Sequence, residues 1–255
     1  MTRIVSTHSY RGGTGKSNIT ANLAANLVMM GKRVAIIDTD IQSPGIHVLF
    51  GLDPQRFRFT LNDYLWGHCQ IEETAVDVTS SLVTEATRLP QNAGRVFLVP
   101  SSVKAGEITR ILKDGYDVNA LNDGFRDISE RLQLDYLLID THPGMNEETL
   151  LSIAISDCLL LVLRPDHQDY QGTAVTLDVA RRLDVPQLLL VVNKALPAFD
   201  FQELSGRIMS TYRTPVGAVL PLTLDIVRLG SGGLFTMLYP DHPFSASIRS
   251  LAEQI

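Results

Sequence analysis

The sequence predicts a doubly wound α/β fold, a mostly parallel sheet with helices on both faces. Three observations carry that expectation. Short β-rich apolar runs recur along the whole chain. The runs are nearly continuous rather than alternating, which is how strands buried on both faces read. Amphipathic stretches of helical period stand between several of them, and strand–helix–strand repetition leads to parallel pairing with crossovers packed on either side.

In chain order, Arg3–Thr7 reads as the first strand and Ser17–Met30 as the helix after it. Ile19, Leu23, Leu27 and Met30 fall on one stripe of that helix, and Gly31 is a stop signal. Arg33–Asp38, Arg95–Pro100 and Tyr136–Asp140 are the next strands, followed by Leu159–Leu163, Leu188–Val192 and Val216–Leu220. Further helices are expected over Asp117–Leu132, Tyr170–Leu183 and Phe199–Tyr212. The stretch Pro54–Leu89 is less regular and reads as a surface excursion. No repeat, low-complexity tract or linker divides the chain, so residues 1–255 read as one domain.

Composition narrows the function classes. Apolar residues make up 45% of the 255, enough for a sizeable core, and the net charge of −6 does not suggest a strongly basic nucleic-acid binder. Cys69 and Cys158 stand far apart, so neither a disulfide framework nor a zinc site is suggested. The N-terminus enters a strand pattern without a signal peptide, and no apolar run approaches the roughly 20 residues of a membrane span. A cytoplasmic protein is expected.

In sheets of this kind ligands sit beyond the carboxyl ends of the strands. The first strand ends near His8, and Ser9-Tyr10-Arg11-Gly12-Gly13-Thr14-Gly15-Lys16-Ser17-Asn18 leads directly into a helix. Glycines let the backbone curl so that its N–H groups face phosphate oxygens, and the new helix adds its positive end. Lys16 can reach the β- and γ-phosphates, and the Ser17 hydroxyl can ligate Mg²⁺. Tyr10 stands where the strict Walker A pattern has its first glycine.

Carboxylates follow two other strands. Asp38 and Asp40 lie two residues apart at the end of one, and Tyr136–Asp140 is an apolar strand ending in Asp, the Walker B form. Either aspartate of the first pair could instead cap the following turn.

The run Arg11-Gly12-Gly13-Thr14-Gly15-Lys16-Ser17 resembles the deviant Walker A box of the ParA/MinD ATPases, Lys-Gly-Gly-x-x-Lys-Ser/Thr. The resemblance continues in order down nearly all of the chain and implies a P-loop NTPase using ATP/ADP and Mg²⁺. It implies that Asp40 orients the attacking water, that Asp38 and Asp140 help hold hydrated Mg²⁺ with Ser17, and that Gly144 is the switch glycine. Asn193 matches a base-contacting position, with Pro221 and Asp225 as further candidates at the adenine; Asp225 reads equally well as a helix-start residue. Arg11 replaces the family's lysine, which reaches the ATP of the other subunit. The alternatives for Arg11 are a solvent-facing residue or a phosphate contact within its own subunit. Arg164-Pro165-Asp166 resembles a loop near the dimer interface, or is a solvated turn, and His142 reads as a loop histidine, with a contact to the switch as the alternative.

The resemblance further implies an ATP-dependent homodimer, a protein activator or adaptor, and a surface that is membrane or non-specific DNA. The stretch Leu220–Gly230 and Tyr239-Pro240-Asp241-His242-Pro243 look more like MinD-type than plasmid ParA sequences. Ser247–Ile255 carries an apolar stripe without the basic face of a lipid-binding helix and reads as a packing helix. Arg207, Arg213, Arg228 and Arg249 read as scattered rather than as one DNA-binding patch. The expected function is an ATP-dependent dimerising switch that positions a cargo or the division machinery. A metabolic synthase on the same fold, or an ATP-binding regulator with negligible hydrolysis, is the alternative. An iron–sulfur carrier is disfavoured because the chain has no Cys-x-x-Cys.

Overall fold

In the computed structural model, which describes all residues from Met1 to Ile255, one sheet takes in every strand. The strands are β1 (Arg3–His8), β2 (Arg33–Asp38), β3 (Val76–Asp77), β4 (Arg95–Val99), β5 (Tyr136–Asp140), β6 (Cys158–Leu163), β7 (Gln187–Ala195) and β8 (Val216–Pro221). Their order is β3-β4-β2-β5-β1-β6-β7-β8. Every pairing is parallel except β3 on β4.

The continuous apolar runs are explained by what covers the two faces. Val34 and Ile36 of β2 join a core with Val5, Leu138, Leu160 and Val162. The long helix α1 (Lys16–Met29) packs on that face, together with α2 (Ile46–Leu49). Their neighbours Ala35 and Ile37 point the other way, toward α3 (Leu61–Leu65), α4 (Ala105–Asp114) and α5 (Val118–Arg131). On that same second face, α6 (Glu147–Ala154), α7 (His167–Arg182) and α8 (Phe201–Tyr212) cover the half of the sheet from β6 to β8. The chain ends with α9 (Leu224–Leu229), α10 (Phe235–Leu238) and α11 (Pro243–Ala252), and Ile248, Leu251 and Ile255 of that end are buried beside α1 and β8. The last helix packs, as its stripe predicts.

The stretch from Pro54 to Leu89 is not a surface excursion. Leu61, Ile71, Val78 and Leu82 are buried in the two main cores, and Val76–Asp77 adds the antiparallel edge strand. A two-residue strand and one-turn helices leave no periodicity to read, although their apolar side chains supply core volume. The fold brings the carboxyl ends of β1, β2 and β5 side by side, since β5 pairs with both β1 and β2.

Candidate functional site

The loop between β1 and α1 is shaped by glycine. Gly13 and Gly15 have φ of 75° and 98°, and a Cβ on Gly15 would stand 2.4 Å from Asn193 Nδ2. No side chain caps the N-terminus of α1, so its first N–H groups keep no side-chain acceptor of their own, as an anion site requires. Lys16 is buried, donating to Ser9 Oγ at 3.2 Å. Burial lowers its pKa, while Asp140, Asp40 and Asp38 pull it back up. Gly12, Gly13, Gly15, Lys16, Ser17 and Asn18 line one face of a cavity of about 390 Å³, and Asp40, Ser43 and His142 line another.

Two struts hold this loop from β7. Asn193 donates its amide to Thr14 O at 2.7 Å, and Lys194, in a left-handed conformation at φ 58°, donates Nζ to Gly13 O at 2.7 Å. Asn193 also lines a neighbouring cavity of about 280 Å³ with Gly15, Asn18, Pro221, Thr223 and Phe244. Two of the three expected base contacts therefore share one pocket. Asp225 does not join them: its carboxylate pairs with Arg228 at 3.2 Å and His242 at 3.9 Å, and Thr223 caps the short helix it begins.

Asp38 and Asp140 are in register on adjacent strands and almost wholly buried. Asp38 accepts from the N–H of Asp40 at 3.1 Å and of Gly45 at 3.3 Å. Asp140 Oδ1 is buried with no partner. Burial, with the charges of Asp140 and Asp40, raises Asp38 well above the usual carboxylate value. Burial pushes Asp140 up to about 6, against the pull of the Ser17 hydroxyl and of Lys16. Buried carboxylates so poorly compensated fit a cation. Mg²⁺ takes one or two carboxylates and completes its shell with water and phosphate oxygens, and two buried carboxylates beside the Ser17 hydroxyl suit that donor set. Gly144, at φ 92°, ties the loop after β5 to the phosphate loop through its N–H to Ser9 O at 3.3 Å.

Beside this site, His8 is wholly buried and its Nδ1 lies 2.7 Å from Thr141 Oγ1. That hydroxyl already donates to Thr7 O, so Nδ1 carries the proton. Burial and then Lys16 drive His8 down to about 3, so the ring is neutral.

Arg11 lies against α7, hydrogen-bonded to Gln168 and 3.8 Å from Asp169, all within its own chain. Asp169 is buried and held bidentately by Arg164, so the Arg164-Pro165-Asp166 turn is a clamp rather than a solvated turn. Tyr10 is accommodated because α7 has Gly172 opposite: a Cβ there would meet the ring at 2.3 Å. A glycine inside a helix was the one sequence signal for this contact. His142 takes the second of its two readings rather than that of a plain loop histidine: its Nδ1 sits 2.7 Å from Asp40 Oδ1. Nothing local in the sequence marks a contact spanning 102 positions.

Fold and site together define a P-loop nucleotide-binding protein of the doubly wound α/β class. The AAA domain family matches residues 2–185, and the chain belongs to it, within the ParA/MinD ATPases. It is 26% identical to an ATP-binding protein of Methanocaldococcus jannaschii, over 97% of this chain and 85% of that one. It is also 26% identical to the septum site-determining protein MinD of Synechocystis, over 77% of this chain and 66% of MinD. Iron–sulfur cluster carrier proteins are relatives as well, that of Pseudomonas fragi at 28% identity over 98% of this chain and 83% of the carrier. Against MinD and the antiactivator FleN of Pseudomonas aeruginosa the match spans 66% and 50% of their lengths. In fold, MinD of Pyrococcus horikoshii, solved with Mg-ADP, superposes with a TM-score of 0.80 at 22% identity, covering 100% of this chain and 96% of that one.

Proposed function

We propose that this chain is a Mg²⁺-dependent ATPase that dimerises on ATP and acts as a switch positioning a cargo or the division machinery. One observation supports this above the others: the Lys16 ammonium, the unpartnered Asp140 oxygen and the Asp40 carboxylate converge at the mouth of one glycine-shaped loop. Gly12, Gly13, Thr14, Gly15 and Asn18 would cradle the phosphates and Lys16 would hold the transferring group. Asn193 and Pro221 would flank the base. Ser17, Asp38 and Asp140 would hold Mg²⁺, which when bound neutralises charge on the phosphate oxygens.

Asp40 would orient water for in-line attack on the γ-phosphorus. The water oxygen would bond to the γ-phosphorus as the bond to the bridging oxygen breaks; ADP would carry off that electron pair, and the water's proton would pass to the departing phosphate. Such transfer needs positioning and charge stabilisation and little covalent chemistry from the protein. Arg11 would leave Asp169 to touch the partner's ATP, and a protein activator would accelerate a slow basal rate. The surface would be membrane or non-specific DNA. No helix is long and apolar enough to cross a membrane.

Carriage of an iron–sulfur cluster is a poor fit. Burial holds Cys158 at about 12, and burial with Asp63 holds Cys69 at about 11, so neither is a ready thiolate.

The test is ATP turnover and light scattering with Mg²⁺, with and without DNA or anionic vesicles. Lys16→Ala is expected to lower turnover by roughly 100-fold or more and to abolish the nucleotide-dependent dimer. A wild-type chain that binds Mg-ATP without turnover would make it a regulator instead, and a Lys16 variant with unchanged binding and turnover would remove the cradle.

A further inference from the structure

We propose that His142 is a positioning residue for Asp40, fixing which carboxylate oxygen faces the γ-phosphate end of the cavity. The inference rests on the reading of Asp40 as the residue that orients water.

His142 Nδ1 lies 2.7 Å from Asp40 Oδ1, and the N–H of Ser43 donates to that same oxygen at 3.1 Å. A carboxylate only accepts, so Nδ1 must carry the proton, and the neutral ring suffices. Both bonds fall on Oδ1, which leaves Oδ2 for water. The contact is shielded, the two side chains being 22% and 18% exposed, so solvent competes with it weakly.

The histidine is itself held. Its carbonyl accepts from Thr149 Oγ1 at 3.3 Å, and the Thr149 N–H bonds to Asn146 Oδ1 at 2.9 Å, so the loop after β5 is anchored to α6. Pro143 follows directly and restricts the backbone of His142. The ring lines the cavity of about 390 Å³ on one side and a cavity of about 240 Å³, with Tyr116 and Glu148, on the other. It is thus a wall of the site that joins the segment after β2 to the segment after β5. In the observed rotamer both donors meet one oxygen of Asp40 and the other is left free, so the carboxylate is oriented before substrate arrives.

Three substitutions separate hydrogen bonding from packing. Asn places an amide N–H where Nδ1 sits, Gln carries it further out, and Leu has none. Measured as steady-state Mg-ATP hydrolysis, His142→Leu and His142→Gln are expected to lower kcat about 10-fold, and His142→Asn to stay within about threefold of wild type. KM for ATP is expected to stay within about twofold in all three. In an Asp40→Ala background His142→Leu should have no further effect. Wild-type kcat in His142→Leu, equal loss in the Asn and Leu variants, or a change confined to KM would overturn the inference. Turnover that needs Asp40 but ignores His142 strikes this inference alone, whereas a wild-type chain without turnover removes the reading of Asp40 together with it.

Discussion

Three buried aspartates fall into two sets with unlike surroundings, Asp169 on one side and Asp38 with Asp140 on the other. Asp169, at the start of α7, takes three bonds from Arg164: the main-chain N–H at 2.9 Å, Nε at 2.9 Å and a terminal nitrogen at 3.2 Å, with Arg11 at 3.8 Å. Burial alone would raise it, but these partners more than reverse that, and its pKa lies below the ordinary value. Asp38 and Asp140 are as buried but have weaker partners, two main-chain N–H groups for Asp38 and the Ser17 hydroxyl with Lys16 for Asp140, and their pKa values go up. Burial of a carboxylate is therefore no guide to its role. A compensated one fastens the fold, and an uncompensated set keeps a folding cost that a bound cation would relieve.

The largest effect that would break this comparison is on the compensated side. Asp169→Ala leaves the Arg164 and Arg11 guanidinium groups without their shared partner and is expected to cost about 3 kcal/mol in urea unfolding. A loss below about 0.5 kcal/mol would make Asp169 an ordinary surface acid. Its depressed pKa means its contribution is present above the unfolded value of 3.8 and is lost as pH falls through the folded one.

On the uncompensated side the sign reverses. Asp140→Asn removes a strained charge and, in EDTA without nucleotide at pH 8, is expected to stabilise the protein by about 2 kcal/mol while losing Mg-dependent turnover. Because the folded pKa is raised to about 6, the wild-type carboxyl contributes stability below 3.8 and loses it as pH rises through about 6. The gap between the two proteins should widen over that window. A gap that is flat with pH, or a destabilised Asn variant, would show Asp140 to be compensated after all. The smallest effect belongs to Arg11, 41% exposed and at long range from Asp169. Arg11→Ala is expected to change stability by less than about 0.5 kcal/mol, and a larger loss would make Arg11 a structural residue of the resting chain.

How much of this was legible depended on range. The strands that carry the site could be read because both their faces are buried, so apolar residues follow one another without a break, as in Val34 to Ile37. The glycine loop and the strand-end aspartates were legible because their chemistry is set by immediate neighbours. β3 was invisible at two residues, and Leu61 or Val78 had no period to place them in a core. Asn193 was expected at the base, yet its amide braces Thr14, and Lys194 props Gly13; both contacts join residues about 180 positions apart, 179 and 181 by count. Asp225 had two equal readings, and the structure gives it the second, a first-turn residue of α9 paired with Arg228.

The missing glycine at position 10 has a consequence for how this loop can change over generations. Tyr10 is a knob whose socket is the bare backbone of Gly172. A Cβ at 172 would collide with the ring, so position 172 is held to glycine as long as position 10 carries the tyrosine. The dependence runs one way: the helix can gain a side chain at 172 only after the loop has given up its ring at 10.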